Sequence, residues 1–188
     1  MWWLERDPLR RLVCRLTCVA CLGALTAGCL QPLYGTHSLT SSGGVGSALS
    51  GVDVAQINAP SGSSEARVAV ETRNQLLFDL TGGAAAAPPT HRLTMRLSSN
   101  RLSVIVDINS GRPDVEDYAL NVNYTLIEIK TGKQVVEGTT SARVSYDIPG
   151  QAQRFARARA LRDAENRAAK LIADNVRSRL ASYFVAGT

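Results

Sequence analysis

The side chains best placed to do chemistry in this 188-residue chain are its four cysteines, and all of them lie within the first thirty residues. Cys14, Cys18 and Cys21 fall inside a mostly apolar N-terminal run, and Cys29 ends the sequence Leu25-Thr26-Ala27-Gly28-Cys29. A cysteine that follows two small residues at the close of a short apolar segment is a substrate for covalent lipid attachment. Cleavage before it makes it the first residue of an exported chain, and its sulfur carries a diacylglycerol anchor. The other parts of such a leader are present: Arg6, Arg10 and Arg11 give a positive start, although Glu5 and Asp7 dilute it, and Leu16 to Ala27 supply the apolar stretch. That stretch is too short to span a bilayer, which takes roughly 20 apolar residues, and Arg15 interrupts the only extension. Residues 1–28 are therefore read as a signal peptide and Cys29 as the lipid-attachment residue, bearing a diacylglycerol and an N-acyl chain; the alternative is an ordinary secretory signal cut nearby, with Cys29 a free thiol. Under the first reading no thiol remains to pair or to bind metal.

The remaining chemistry is sparse. The two histidines, His37 and His91, have no neighbours at ligand spacing, so a zinc site lacks its three or four donors. No strand-turn-helix serine motif frames a nucleophile with either histidine, and Gly43-Gly44 and Gly82-Gly83 match neither the phosphate-loop nor the dinucleotide pattern. Adjacent acids such as Glu116 with Asp117, or Asp163 with Glu165, read as solvated charges, because a poised acid and base would need burial to separate their pKa values. The chain is thus expected to be no enzyme and to use no cofactor beyond the lipid on Cys29. One constellation has a binding chemistry. If Arg92 and Arg96 point outward from one strand and Lys133 and Arg143 join them from the last two strands, the wet face of a sheet becomes partly basic and could hold phosphate groups by bidentate bonds. The competing reading is four ordinary solubilising positions.

Charge and patterning bound the scaffold that would position these groups. The full chain has 21 Lys and Arg against 16 Asp and Glu, a net +5, and four of the cations (Arg6, Arg10, Arg11, Arg15) leave with the signal. The mild excess that remains does not point to nucleic acid; it suits an anionic head group or an acidic partner surface, and equally an ordinary solvated surface. Residues 29–188 are enough for one domain with a real core. Thr36 to Ser50, rich in Ser, Gly and Thr, reads as a flexible tether, so residues 29–50 form the lipidated N-terminus and linker and residues 51–188 the folded domain. Val52, Val54 and Ile57, closed by Ala59-Pro60, suggest a first strand. Ser61 to Ser64 offer a helix N-cap, Glu65 suits the first turn, Val68, Leu76, Leu77 and Leu80 form the apolar stripe, and Thr81-Gly82-Gly83 stops it. Three strands follow with period two. Leu93, Met95 and Leu97 resume as Leu102, Val104, Val106 and Ile108 after a bulge or turn at Ser98-Ser99-Asn100; Leu120 to Leu126 and Val136 to Tyr146 then form a hairpin around Thr131-Gly132. Beyond Pro149-Gly150, Ala158, Leu161, Ala164, Ala168, Leu171, Ile172, Val176, Leu180 and Tyr183 mark one long amphipathic helix, its outer side supported by Arg159 with Asp163 and Asp163 with Arg167. These elements bury their apolar faces most simply as an α+β two-layer sandwich, a four-stranded, mostly antiparallel sheet covered by two helices, the C-terminal one long.

The run Cys29-Leu30-Gln31-Pro32-Leu33-Tyr34-Gly35 resembles the mature start of the LptE family of lipopolysaccharide-assembly lipoproteins. Ser145-Tyr146-Asp147, Phe155-Ala156, Asp163-Ala164, Ala168, Leu171 and Leu180 are similar to the last strand and C-terminal helix of its alphaproteobacterial members. The resemblance implies an outer-membrane lipoprotein, anchored on the periplasmic face, that partners and plugs the LptD β-barrel while lipopolysaccharide passes to the outer leaflet. A different class, the auxiliary lipoprotein of an ABC-type lipid or solvent transporter, shares the anchor and the α/β character and stays open as the alternative.

Overall fold

The computed structural model describes residues 44–106, 113–148 and 154–186. The signal peptide, Cys29, the Pro-Leu-Tyr-Gly run and His37 lie outside them. Seven elements follow in order: α1 (Gly44–Ser50), β1 (Val52–Val54), α2 (Ser64–Thr81), β2 (His91–Val106), β3 (Pro113–Glu128), β4 (Gln134–Asp147) and α3 (Arg154–Ala186). The sheet has the order β1-β2-β3-β4, with β1 parallel to β2 and the other pairs antiparallel. Helices α2 and α3 lie on one face, so the expected α+β two-layer sandwich is the observed one, with α1 as a third, short helix.

The helix boundaries follow local chemistry. Ser63 sits in extended backbone and its hydroxyl accepts from the Ala66 amide at 3.1 Å, the N-cap of α2; Gly82, at φ 64°, takes the left-handed conformation that ends it. Val68, Ala69, Thr72, Leu76 and Leu80 form the inner stripe of α2. On α3 the stripe is Ala164, Ala168, Ala169, Ile172, Ala173, Val176, Leu180 and Ala181, all fully buried. Its alanines let the helix lie close to α2 and to the sheet. Leu171 does not belong to that stripe; it is 46% exposed and faces the margin of β4. Of the two expected pairs along the outer side, Arg167 with Asp163 forms, at 2.8 Å.

The tether reading of Thr36 to Ser50 fails at its end. Gly44–Ser50 is helical, with Val45 and Leu49 buried at 2% exposure each. Composition alone disfavours a helix there, but an i,i+4 apolar pair that docks on α2 and α3 gains its stability from tertiary burial. The predicted break in β2 is absent as well. The β2–β3 register runs without a slip from His91↔Glu128 to Ser103↔Glu116, and irregularity comes only between Ser103 and Val106. Its partner explains why. Tyr118, Leu120, Val122, Tyr124 and Leu126 of β3 all point inward and are buried, and a bulge in β2 would have shifted the ladder against them. Leu97 and Leu102 are an odd number of residues apart, so the unbroken strand puts them on opposite faces. Leu102 and Val104 stand outside, 58% and 52% exposed.

Candidate functional site

The outer face of the sheet is the surface that no described element covers. Strand alternation gives it Asp53 from β1, Arg92, Thr94, Arg96 and Ser98 from β2, Asn121, Asn123 and Thr125 from β3, and Glu137, Thr139, Ser141, Arg143 and Ser145 from β4. These side chains bond to one another across the strands. Thr139 Oγ1 donates to Asn123 Oδ1 at 2.8 Å, Ser145 Oγ donates to Asp117 Oδ1 at 2.6 Å, and Thr94 Oγ1 donates to the Thr125 carbonyl at 3.4 Å. With Gln56 and Asn58 of the segment after β1, the middle of the face forms a concavity of ≈ 930 Å³ whose polar groups are amides and hydroxyls around Arg96 and Glu137.

The four basic candidates do not meet in one clamp. Arg92 donates to Asp53 Oδ2 at 3.1 Å, and Arg143 lies 4.0 Å from Asp117 Oδ2. Arg96 stands in the concavity without a carboxylate at ion-pair distance among the described residues. Lys133 is in the turn between β3 and β4, at the end of the sheet where β2 begins. Arg143 sits level with Asn100, four residues further along β2 than Arg96, roughly 13 Å away along the strand direction. The face is therefore hydrogen-bonding and nearly neutral, with Arg96 its one centrally placed cation among the described residues.

At the opposite end two acids expected to be solvated, Glu116 and Glu165, are buried instead. Glu165 of α3 is 3% exposed and ion-paired with Arg67 of α2, which also donates to Asn166. Glu116, 8% exposed, accepts from the Tyr146 hydroxyl and from Arg157 at 3.4 Å. Burial and the Glu116 carboxylate push the Tyr146 phenol up to about 12. Glu116, Arg157 and Glu165 line a polar cleft of ≈ 660 Å³ with Glu65 and Arg101. The signal was available: Glu116 shares the inward phase of Tyr118 and Leu120, and Glu165 sits beside Ala164 and Ala168 on the buried side of α3. Near them Leu102, Val104 and Phe155, the last 89% exposed, leave apolar side chains in solvent. His91 packs edge-on against Phe184 and Tyr183, with ring centroids 5.1 and 6.3 Å away, and burial lowers its pKa. No cluster of potential metal ligands occurs among the described residues, and no described helix is long and apolar enough to cross a membrane.

Solved structures share this architecture. A candidate lipoprotein from Caulobacter crescentus is 25% identical, superposes with a TM-score of 0.58, and the match covers 77% of this chain and 97% of that one. The rare lipoprotein B from Shewanella oneidensis (14% identity, TM-score 0.50, 71% and 96% covered) and a lipoprotein B from Nitrosomonas europaea (12% identity, TM-score 0.51, 72% and 86% covered) share the fold. No curated protein matches by sequence. The family model for LptE, described as lipopolysaccharide-assembly, matches residues 49–180, from the last turn of α1 to the final turns of α3. That span takes in every strand, both layers and the hydrogen-bonding outer face, and the chain belongs to the LptE family of lipopolysaccharide-assembly proteins.

Proposed function

We propose that this protein is an outer-membrane lipoprotein, held at the periplasmic face by acyl chains on Cys29, that partners and plugs an LptD-like β-barrel during lipopolysaccharide transport. The observation that carries the reading is the family match over residues 49–180. Two physical features support it. A wide barrel has a polar, water-accessible interior, and a sheet face built from Asn, Thr and Ser, with Arg92 and Arg143 already neutralised by Asp53 and Asp117, can fill such a lumen through a wet interface without stranding unpaired charge. The anchor removes the need for a spanning helix: burial contributes about 0.8 kcal/mol per CH₂, and more than one chain gives stable attachment.

Direct contact with lipopolysaccharide belongs to the same proposal. Among Arg92, Arg96, Lys133 and Arg143, the residue best placed for a phosphate is Arg96, since a bidentate bond there displaces no existing ion pair with a described residue. Depleting the protein in its native host tests the function. Lipopolysaccharide on the cell surface falls and builds up behind the outer membrane if the reading is right, and unchanged surface lipopolysaccharide contradicts it. Replacing Arg96 with Glu weakens lipopolysaccharide capture by the purified chain, whereas Arg92→Glu has the smaller effect because Asp53 already occupies that guanidinium. Equal capture by the wild type and Arg96→Glu rejects this face as the contact and leaves the barrel role standing.

A further inference from the structure

Strand β4 is the last in the sheet. Gln134–Asp147 pair with β3 along one side, and no described strand pairs with the other. In an antiparallel pair the backbone N–H and C=O of alternate residues point away from the neighbour, so a strand of this length presents a row of them at the sheet margin. Ser145 identifies the set. Its carbonyl accepts from Arg167 Nη2 of α3 at 3.3 Å, while its hydroxyl meets Asp117 Oδ1 across the pair at 2.6 Å, the close side-chain approach of partners that exchange no backbone bonds. The register is regular from Val115↔Asp147 to Leu126↔Val136, so Glu137, Thr139, Ser141 and Arg143 share the orientation of Ser145. Edge strands are ordinarily blunted by proline, bulges or short length. β4 has no proline and no irregularity over this stretch. Beside it, between β4 and α3, runs a groove of ≈ 500 Å³ lined by Val144 and the half-exposed Leu171, with Arg143, Arg167 and Lys170 set against a single acid, Asp174.

We propose that the free margin of β4 is a docking site for an extended segment of a partner protein, which joins the sheet as a further strand and seats an apolar side chain, flanked by a carboxylate, in the groove beside Leu171. The backbone row calls for another backbone, because main-chain bonds supply affinity in strand addition and the flanking pocket supplies specificity. The groove calls for an apolar residue by its Val144 and Leu171 surface and, since Arg143 and Arg167 already face Asp117 and Asp163, for a neighbouring acid chiefly by the exposed Lys170. This inference stands on β4 and α3 alone and does not rest on lipopolysaccharide binding.

The test uses the full acylated chain in detergent and a synthetic peptide of about nine residues, an ordinary strand length, that alternates Val with Thr and carries a central Leu between two Glu. Binding is followed by fluorescence anisotropy and by hydrogen exchange at individual amides. The peptide binds saturably and slows exchange at Thr139, Ser141 and Arg143. Ser141→Pro, which removes an outward N–H and no bond to β3, and Leu171→Lys each weaken it by about tenfold or more, and the same peptide methylated on alternate backbone nitrogens does not bind. If Ser141→Pro lowers the melting temperature, the methylated peptide alone decides the point. Three results overturn the proposal: no binding of the unmethylated peptide, equal binding of both peptides, or a dimer of the free chain that Ser141→Pro dissolves, which would assign the margin to a second copy.

Discussion

Glu165 and Arg67 illustrate how one residue on the dry side of a helix constrains two elements at once. Glu165 is buried between α3 and the sheet, so its carboxylate depends on the Arg67 guanidinium of α2. Arg67→Ala is expected to lower stability by about 2 kcal/mol, less than for a fully enclosed pair because Arg67 retains some contact with water, while Arg67→Met combined with Glu165→Leu recovers most of the loss. Denaturant unfolding of the three proteins checks this; a neutral Arg67→Ala would show that water screens the site. His91 makes a pH prediction. Burial against Phe184 and Tyr183 lowers its folded pKa below the ordinary 6.5, with Glu128 opposing more weakly. The unfolded chain therefore protonates first, and stability held above pH 6.5 is lost progressively as pH falls below it, until the folded histidine also charges. His91→Gln should flatten that part of the melting-temperature profile; an unaltered slope would place its cause elsewhere. At this scale the caps were legible, since Ser63 and Gly82 do locally what their residue types do best. The buried acids were legible only in part: Glu116 and Glu165 hold inward positions, but their charges read as solvated until the partners Tyr146, Arg157 and Arg67 from other elements are known.

The element scale shows where periodicity decides and where it is overruled. The inward residues Leu120 to Leu126 of β3 and Val136 to Tyr146 of β4 were legible from alternation, though Glu116 and Tyr118 further up β3 were not, and the long alanine-rich stripe of α3 was legible from its three- and four-residue spacing. β2 was harder. Its two apolar runs are out of phase, and sequence alone invites a bulge to reconcile them; the straight pairing with β3 leaves Leu102 and Val104 in solvent instead. Replacing both with Ser should change stability by no more than ~0.5 kcal/mol, whereas Met95→Ala, buried on the opposite face, should cost about 2–3 kcal/mol. A large loss from the Leu102 and Val104 pair would reinstate the bulge. Gly138 carries a second element-level constraint. It faces Tyr124 on β3, and a Cβ added there would lie 2.5 Å from the Tyr124 hydroxyl oxygen. Gly138→Ala, usually favourable in a strand, is expected to cost about 1–2 kcal/mol here and to become harmless once Tyr124 is Leu; an Ala variant as stable as the wild type would mean that the ring moves freely. α1 escaped the sequence reading because its stability comes from where Val45 and Leu49 dock, not from its own residues.

Taken as a whole, the molecule is polarised. α1, the entry into β1 and the β3–β4 turn lie at one end of a sheet whose longest strands, at 16 residues, extend roughly 50 Å; the buried carboxylates and the exposed Leu102, Val104 and Phe155 lie toward the other. A chain that reaches the membrane through residues ahead of α1 would thus present its outer sheet face and its far tip to whatever it assists. The most direct test is to solubilise native membranes in mild detergent and purify the full-length protein through a C-terminal tag. A β-barrel protein of the lipopolysaccharide export system should co-purify with it at equal stoichiometry; recovery of an inner-membrane transporter subunit instead, or of the chain alone, would contradict the assignment.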